Sequence, residues 1–170
     1  ILYHINYNMH YASNEAYNLC KNLSLKYELT FSSDTVKLEH KNFESNARQV
    51  RYNNLINLSI NNNCQNILTA HTFNDQIETL VMKNEDKADW VSFLGIRKYY
   101  NIIYRPMLKV IKNDIYQYAV INNLSWIEDP TNNDIKYKRN KLRIEVLPDV
   151  LKNKVTIENL LNNYFIKLNR

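Results

Sequence analysis

Residues 67–82, ILTAHTFNDQIETLVM, decide the fold of this chain. The apolar run 67–70 is typical of a short buried strand. The polar residues after it form a turn, and the side-chain oxygen of Thr72 or Asn74 can cap a following helix. A strand that runs directly into a helix is the repeating unit of α/β proteins, so this stretch predicts an α/β fold.

The predicted helix separates polar from apolar residues. At about 100° per residue, Asp75, Glu78 and a helically extrapolated His71 lie within about 60° of one another. The opposite face, which would pack on a sheet, consists of Ile77, Leu80 and Val81. Because ligands of open α/β sheets bind beyond the carboxyl ends of the strands, the polar face is a candidate site. Alternatively, the two acids only interact with the helix dipole and the histidine is a loop residue.

Strand-like and helical patterns alternate along the rest of the chain, which favours a parallel sheet with flanking helices. Strands are predicted at 1–6, 29–31, 67–70 and 102–104. Helices are predicted at 13–27, 43–60, 112–122, 137–146 (stopped by Pro148) and 157–168. The connecting segments are an irregular link with room for one more strand at 32–39, and a loop or short helix over the site at 83–101. We expect one domain at 1–146 and a helical C-terminal extension at 147–170.

Composition limits the class of protein. The 170 residues suit one domain with a sizeable core. No apolar run approaches the ~20 residues of a transmembrane helix and no signal peptide is visible, so we expect a cytoplasmic protein without a membrane partner. Cys20 and Cys64 lack metal or redox spacing, which fits a reducing compartment. Heavy use of Asn, Ile, Lys and Tyr indicates an AT-biased genome, so the cytosol of an endosymbiont or an organelle also fits.

The net charge of +5 is concentrated late in the chain and favours an anionic partner. Arg139 and Arg143 stand at i and i+4 of a predicted helix, which suits contacts with phosphate or carboxylate groups. The acidic turn 128–134 precedes them. Asp129 and Asp134 can instead neutralise the two arginines, and the spacing leaves both interpretations open.

Two carboxylates at i and i+3 repel each other, so a site built on Asp75 and Glu78 needs a nearby cation. Arg51 is the predicted source, because its helix directly precedes the strand of the site and neighbours it in a parallel sheet. The alternative is that Arg51 and Arg48 lie on a solvated helix face.

Two kinds of ligand site lack their residues in this sequence. No third ligand is spaced to complete a metal site with His71 and Asp75, so we predict no metal held by the protein alone. Gly95 is the single glycine, and a glycine-rich phosphate loop cannot be built from it.

Residues 69–79, TAHTFNDQIET, resemble the A-H-x-x-D-D-Q-x-E-T signature of tRNA(Ile)-lysidine synthetases. The other matches are HINYNMH at 4–10 to H-V-N-H-G-L-R, ARQVRY at 47–52 to A-R-x-x-R-Y, RPML at 105–108 to R-P-L-L, WIEDPTN at 126–132 to W-x-x-D-x-[ST]-N, and RNKLR at 139–143 to R-N-x-x-R. They follow the family's order from the first residue to about Pro148.

The resemblance implies an ATP-pyrophosphatase fold of the adenine-nucleotide α-hydrolase type. It also implies a reaction in which ATP, with Mg²⁺, adenylates the C2 oxygen of the wobble cytidine in a CAU-anticodon tRNA(Ile). The ε-amine of free L-lysine then displaces AMP and leaves lysidine.

The resemblance also assigns residues to substrates. It places the lysine ammonium at Asp75 and Glu78, with Arg51 holding the lysine carboxylate or the nucleotide and His71 near the adenylated base. It implies nucleotide contacts for His4 and Asn6, and tRNA contacts for Lys138, Arg139 and Arg143. A homodimer is a further expectation.

The chain departs from the family pattern at several points. The family's S-G-G-x-D-S pyrophosphate loop would lie before Ile1, whose strand-like context favours a fragment of a working enzyme. Asn74 replaces the first Asp of the signature. A non-catalytic tRNA-binding remnant is the alternative, whereas a tRNA thiolase on the same fold would need a pair of catalytic cysteines.

Overall fold

A computed structural model describes residues 1–8, 12–38, 43–85 and 95–152. The chain forms two compact units. The first contains Ile1–Ile67 and Asn123–Pro130, and the second contains Leu68–Asn122 and Thr131–Arg170. Among the described residues, no helix has the length and apolarity to cross a membrane. The predicted helix at 157–168 and residues 86–94 of the segment 83–101 lie outside the described residues.

The first unit contains a parallel pair of strands with a helix between them. Its elements are β1 (Leu2–Asn6), α1 (Ala12–Lys26), β2 (Phe31–Thr35) and α2 (Phe43–Asn61). The strands pair in parallel from Leu2 opposite Phe31 to Asn6 opposite Thr35. Since parallel strands need a crossover connection, α1 fulfils that role, and the predicted parallel sheet is confirmed in this unit.

Both helices of this unit end in the same hydrogen-bonded motif. Glu28 and Asn63 have φ values of 53° and 52°, in the left-handed region that asparagine tolerates well. The backbone N–H groups of Leu29 and Cys64 donate to carbonyls five residues earlier, at 2.8 Å each. These are Schellman caps, and they satisfy carbonyl groups that a helix end leaves unpaired.

This cap explains why β2 begins later than predicted. Leu29 was expected to open a strand at 29–31, but its N–H belongs to the cap of α1. The strand therefore occupies Phe31–Thr35, which shares only Phe31 with the predicted strand and extends into the link at 32–39, where one more strand had been allowed for.

The second unit contains a small three-stranded sheet and several helices. Its strands are β3 (Ile67–Leu68, at the boundary of the units), β4 (Tyr99–Tyr100) and β5 (Ile103–Tyr104). Its helices are α3 (Phe73–Glu85), α4 (Lys112–Ile121), α5 (Lys138–Glu145) and α6 (Leu147–Lys152). A 3₁₀ turn at Pro130–Asn133 begins at the last residue of the first unit. The strand order is β3-β5-β4, and β4 runs antiparallel to β5. The strand β4 was not predicted.

The core of the second unit lies where α3 meets α6. Phe73, Ile77 and Leu147 are buried together, with Val81 and the last turn of α6 packed against them. The predicted burial of the apolar face of α3 is confirmed, since Ile77 is 1% exposed and Leu80 is also buried. This face was expected to pack on a sheet, but Ile77 packs against Leu147 of α6. Leu147, the first residue of the predicted C-terminal extension, packs into this core. The domain boundary after residue 146 stays a prediction.

The basic helix α5 ends before Pro148, as predicted, but Pro148 itself belongs to a further helix that was not predicted. Pro148 lies in the first turn of α6. Backbone N–H groups in a first turn have no acceptor within the helix, so a proline there costs no hydrogen bond. The proline therefore separates α5 from α6 without preventing the second helix.

Truncating Ile77 should destabilise the second unit strongly. We expect Ile77→Ala to lower the free energy of unfolding by about 2–5 kcal/mol, because it leaves a cavity between α3 and α6. The matched control is Ile121→Ala, at a position that is 77% exposed, which should change it by less than about 0.5 kcal/mol. Urea unfolding of both variants tests this, and equal effects would contradict the proposed core.

Candidate functional site

The start of α3 is fixed by a reciprocal cap between Thr72 and Asp75. The backbone N–H of Thr72 donates to Asp75 Oδ2 at 2.7 Å, and the Asp75 N–H donates to Thr72 Oγ1 at 3.4 Å. The Thr72 hydroxyl also donates to Asp75 Oδ2 at 2.8 Å. Thr72 is therefore the cap of the two candidates, and Asp75 Oδ2 is committed to the helix start.

Asn74 has a different role. Its Oδ1 accepts the backbone N–H of Lys112 at 2.8 Å, at the first residue of α4. Ile111, the N-cap residue of α4, makes no side-chain capping bond. Asn74, in the first turn of α3, thus accepts a hydrogen bond from a backbone N–H group at the start of α4 that has no partner within its own helix.

Glu78 is the buried charge of the site. Its side chain is 1% exposed, and both carboxylate oxygens accept hydrogen bonds from arginines of α5. Arg139 Nε donates to Oε2 at 2.7 Å. Arg143 binds in a bidentate manner, through Nε to Oε1 at 2.9 Å and through Nη2 to Oε2 at 3.0 Å. Charge-assisted bonds of this geometry are among the strongest in proteins.

Asp75 completes a four-residue charge cluster, in which two acids and two arginines balance formally. Arg139 Nη2 lies 3.6 Å from Asp75 Oδ1, beyond a good hydrogen bond. The Asp75 side chain is 25% exposed, so it is the carboxylate of the cluster that solvent and ligands reach.

The turn before α5 orients the two arginines. Asn140 Nδ2 donates to the carbonyl oxygens of Thr131 at 2.7 Å and Asp134 at 3.0 Å. Arg143 Nη1 lies 3.4 Å from Asn132 Oδ1. Sequence reasoning assigned no role to these two asparagines, although both lie within motifs it had singled out.

The positions of Arg139 and Arg143 revise the sequence-based picture. Both were assigned to the tRNA side, but their guanidinium groups bind Glu78. The cations beside the two acids therefore come from α5, and the tRNA contacts of these arginines stay a prediction. Lys138, assigned with them, is the exposed first residue of α5.

Arg51, the predicted cation, belongs to the first unit. Its guanidinium carbon lies 5.8 Å from the centre of the Tyr52 ring, and that of Arg48 lies 5.2 Å from the same ring. Arg51 also lowers the pKa of Tyr7, against a larger rise caused by burial. Asp75 and Glu78 belong to the second unit. The proximity of Arg51 to them stays a prediction.

His71 precedes α3, which begins at Phe73, so it does not continue the helix as the extrapolation assumed. Its Nδ1 shares a hydrogen bond of 2.9 Å with Thr69 Oγ1. This contact orients the half-buried imidazole ring at the end of β3. Among the described residues, no cluster of three His, Cys, Asp or Glu side chains could hold a metal ion.

His4 and Asn6, the predicted nucleotide contacts, lie on β1. Nε2 of His4 is buried and has no hydrogen-bond partner among the described residues, and burial lowers the pKa of this imidazole. The side chain of Asn6 is occupied, since its Oδ1 accepts the Asn8 N–H at 2.7 Å and its Nδ2 lies 3.4 Å from Asn14 Oδ1. A buried imidazole nitrogen without a partner fits a ligand that forms a hydrogen bond there.

Gly95 does not form a phosphate cradle. Its φ is +61°, and a side chain there would collide with the amide of Gln76 at 2.3 Å. Gln76 is itself 3% exposed, and its Oε1 accepts the Ile96 N–H at 2.6 Å. The glycine therefore lets the backbone approach Gln76 closely, and sequence reasoning missed this glutamine.

Removing the charge of Glu78 should destabilise the second unit. We expect Glu78→Gln to lower the free energy of unfolding by about 3–5 kcal/mol, because two arginines lose their common buried counter-ion. Glu145→Gln is the matched control, since it affects an exposed pair with Lys141 at 3.9 Å and should cost less than about 1 kcal/mol. Chemical denaturation distinguishes the two variants. A small effect at Glu78 would contradict its role as the common counter-ion of Arg139 and Arg143.

The depressed pKa of His4 predicts a pH dependence of stability. The unfolded chain binds a proton near the ordinary value of 6.5, while the folded state binds it only at lower pH. Stability from this group is therefore fully present above about pH 6.5 and declines as the pH falls towards the folded pKa. Denaturation from pH 8 to pH 5 should show the wild type losing stability relative to His4→Phe, and parallel pH profiles would refute it.

Several known proteins are similar to this chain in sequence or in fold. The sequence model of a family described as the PP-loop domain matches residues 1–150. The tRNA(Ile)-lysidine synthase of Mycoplasma mycoides subsp. mycoides is 37% identical over 84% of this chain and 37% of the relative. That of Mesoplasma florum is 34% identical over 99% of this chain and 47% of the relative. The chain therefore spans less than half the length of these curated relatives.

A solved structure shows the same fold at low identity. The U34-tRNA thiolase NcsA from Methanococcus maripaludis, solved with its 4Fe–4S cluster, superposes with a TM-score of 0.77 and 12% identity. The match covers 99% of this chain and 61% of the thiolase. It supports a PP-loop architecture with a parallel sheet and flanking helices, as the sequence predicted.

Proposed function

The chain belongs to the PP-loop domain family, and we propose that it is part of a tRNA(Ile)-lysidine synthase. In this proposal, ATP activates the wobble cytidine of a CAU-anticodon tRNA(Ile), and L-lysine is ligated to it in the cytoplasm. The similarity to lysidine synthases over most of this chain supports the assignment. The single structural observation that carries it is the acid pair of α3 held by two arginines.

Asp75 and Glu78 take different parts in this reaction. Both oxygens of Glu78 are already bound by arginines, so an incoming ammonium would have to displace one of them. Asp75 Oδ1 is free of short hydrogen bonds in the cluster and is accessible. We therefore propose that Asp75 binds the lysine ε-ammonium and that Glu78 positions Arg139 and Arg143.

The proposed chemistry has two steps. The C2 oxygen of the cytidine attacks the α-phosphorus of ATP, and pyrophosphate leaves. The lysine ε-amine then forms a bond to C2, the bond from C2 to oxygen breaks, and AMP leaves. The ammonium must first lose a proton, and a carboxylate within hydrogen-bond reach, such as that of Asp75, can accept it and pass it to water.

ATP fits only part of the described chain. The unpartnered Nε2 of His4 offers a hydrogen bond to the nucleoside end. The triphosphate finds no glycine cradle, because the single glycine is packed against Gln76. We therefore assign no phosphate-binding residue here, and Mg²⁺ would enter with the nucleotide.

Removing the carboxylate of Asp75 should abolish lysine transfer while the fold persists. We expect Asp75→Asn to slow incorporation of labelled L-lysine into CAU-anticodon tRNA(Ile) by roughly 100-fold or more, since the amine loses its orienting base. The matched control is Asp114→Asn, which changes an exposed first-turn acid of α4 and should retain activity within about twofold. The assay compares this chain with a form that also contains the residues encoded immediately upstream of Ile1.

The outcomes separate the enzyme from a binding module. Activity in either wild-type form, lost in Asp75→Asn and kept in Asp114→Asn, supports the proposal. If neither form transfers lysine but both bind tRNA with a steep salt dependence, a tRNA-binding module without catalysis becomes the better account.

A further inference from the structure

Two exposed aromatic rings are neighbours on the β4–β5 hairpin. Tyr99 is 59% exposed and Tyr100 is 51% exposed. Tyr99 lies directly across the hairpin from Tyr104, and the two rings stack with centroids 4.4 Å apart and an interplanar angle of 6°. One face of the Tyr99 ring is therefore covered by Tyr104, and the exposed part of the ring is available to a further planar group.

Cations lie beside these rings. Lys98 Nζ lies 5.6 Å from the centroids of both Tyr99 and Tyr104, so the ammonium is beside the stacked pair and equally far from each ring. The guanidinium carbon of Arg97 lies 5.9 Å from the centre of the Tyr100 ring. Residues 95–113 include Arg97, Lys98, Arg105, Lys109 and Lys112, and no acidic residue. The hairpin thus has the charge of a surface that binds anions.

The hairpin is held in place by a buried arginine. Arg105 is 5% exposed, its Nη1 donates to the Arg97 carbonyl at 2.7 Å, and its backbone N–H donates to the Lys98 carbonyl at 2.9 Å. The two-residue loop begins at Asn101 with a φ of 51°, a conformation that tight hairpins require and that asparagine adopts readily. The rings and cations are therefore positioned before any partner arrives.

We propose that this hairpin is an RNA-contact surface, in which Tyr99 stacks an unpaired base and Lys98 and Arg97 contact the flanking phosphates. Aromatic side chains beside basic residues bind single-stranded RNA in this way, because every base offers a π-face. The phenol stays uncharged, since hydrogen bonding with Tyr104 raises the pKa of Tyr99. The identity of the RNA as the tRNA substrate rests on the proposed function.

A binding experiment with matched tyrosines tests this surface. Fluorescence anisotropy would measure the affinity of the purified chain for a CAU anticodon stem-loop and for a fully paired RNA duplex of the same length. The variants are Tyr99→Ala, Tyr99→Leu and Tyr99→Phe. The control is Tyr27→Ala, because Tyr27 is 55% exposed and has Lys26 Nζ 5.5 Å from its ring centre.

We expect Tyr99→Ala and Tyr99→Leu to weaken stem-loop binding by about tenfold, the effect typical of losing one base stack. Tyr99→Phe should stay within about twofold of the wild type, because it keeps the ring. Tyr27→Ala should have no effect, and the duplex should bind all variants alike. Lys98→Ala should reduce the slope of log affinity against log salt by about one.

Several results would overturn the proposal. These are an unchanged affinity in Tyr99→Leu, an equal loss in Tyr27→Ala, an equal loss for the duplex, and displacement of the RNA by an acidic peptide at similar concentration. Thermal unfolding of Tyr99→Leu checks that the fold persists. Binding needs neither ATP nor lysine, so Tyr99-dependent binding without lysine transfer would refute only the proposed function, and lysine transfer without such binding would refute only this surface.

Discussion

The second unit of this protein depends on the compensation of one buried carboxylate. Glu78 is 1% exposed, and an ionised side chain at that depth is costly unless its oxygens are paired. Arg139 and Arg143 supply the pairing because residues at i and i+4 lie on one helix face. The bonds connect α3 with α5 across 61 and 65 positions, so assembling the charge cluster and folding this unit are coupled.

The polar turn before α5 supports this charge cluster. A long, flexible guanidinium group loses conformational entropy when it is held, and prior positioning of its helix reduces that cost. Asn140 fixes the backbone of residues 131–134, and Asn132 contacts Arg143 directly. A stretch of acids and amides that resembles an ordinary surface loop therefore supports a site formed elsewhere in the chain.

The sequence predicted what local patterns determine. The apolar face of α3, the capping of its start and the parallel pairing of β1 with β2 follow from periodicity, side-chain chemistry and the need for a crossover. The two-residue strand β4 is too short to show alternation, and its neighbour β5 defines it. The cations of the site could not be chosen either, because Arg51, Arg139 and Arg143 are equivalent until the packing of α5 on α3 is known.

The two arginines of the charge cluster also affect how an amine could react here. Positive charges close by disfavour a protonated amine, which lowers its pKa and increases the fraction that is nucleophilic. In the proposed reaction, a lysine held at Asp75 lies beside Arg139, whose Nη2 is 3.6 Å from Asp75 Oδ1. Asp75 would attract the ammonium and the neighbouring guanidinium would promote its deprotonation. An acid pair alone would bind the ammonium more tightly but would keep it protonated, so the arginines fit a site for transfer better than a site for storage.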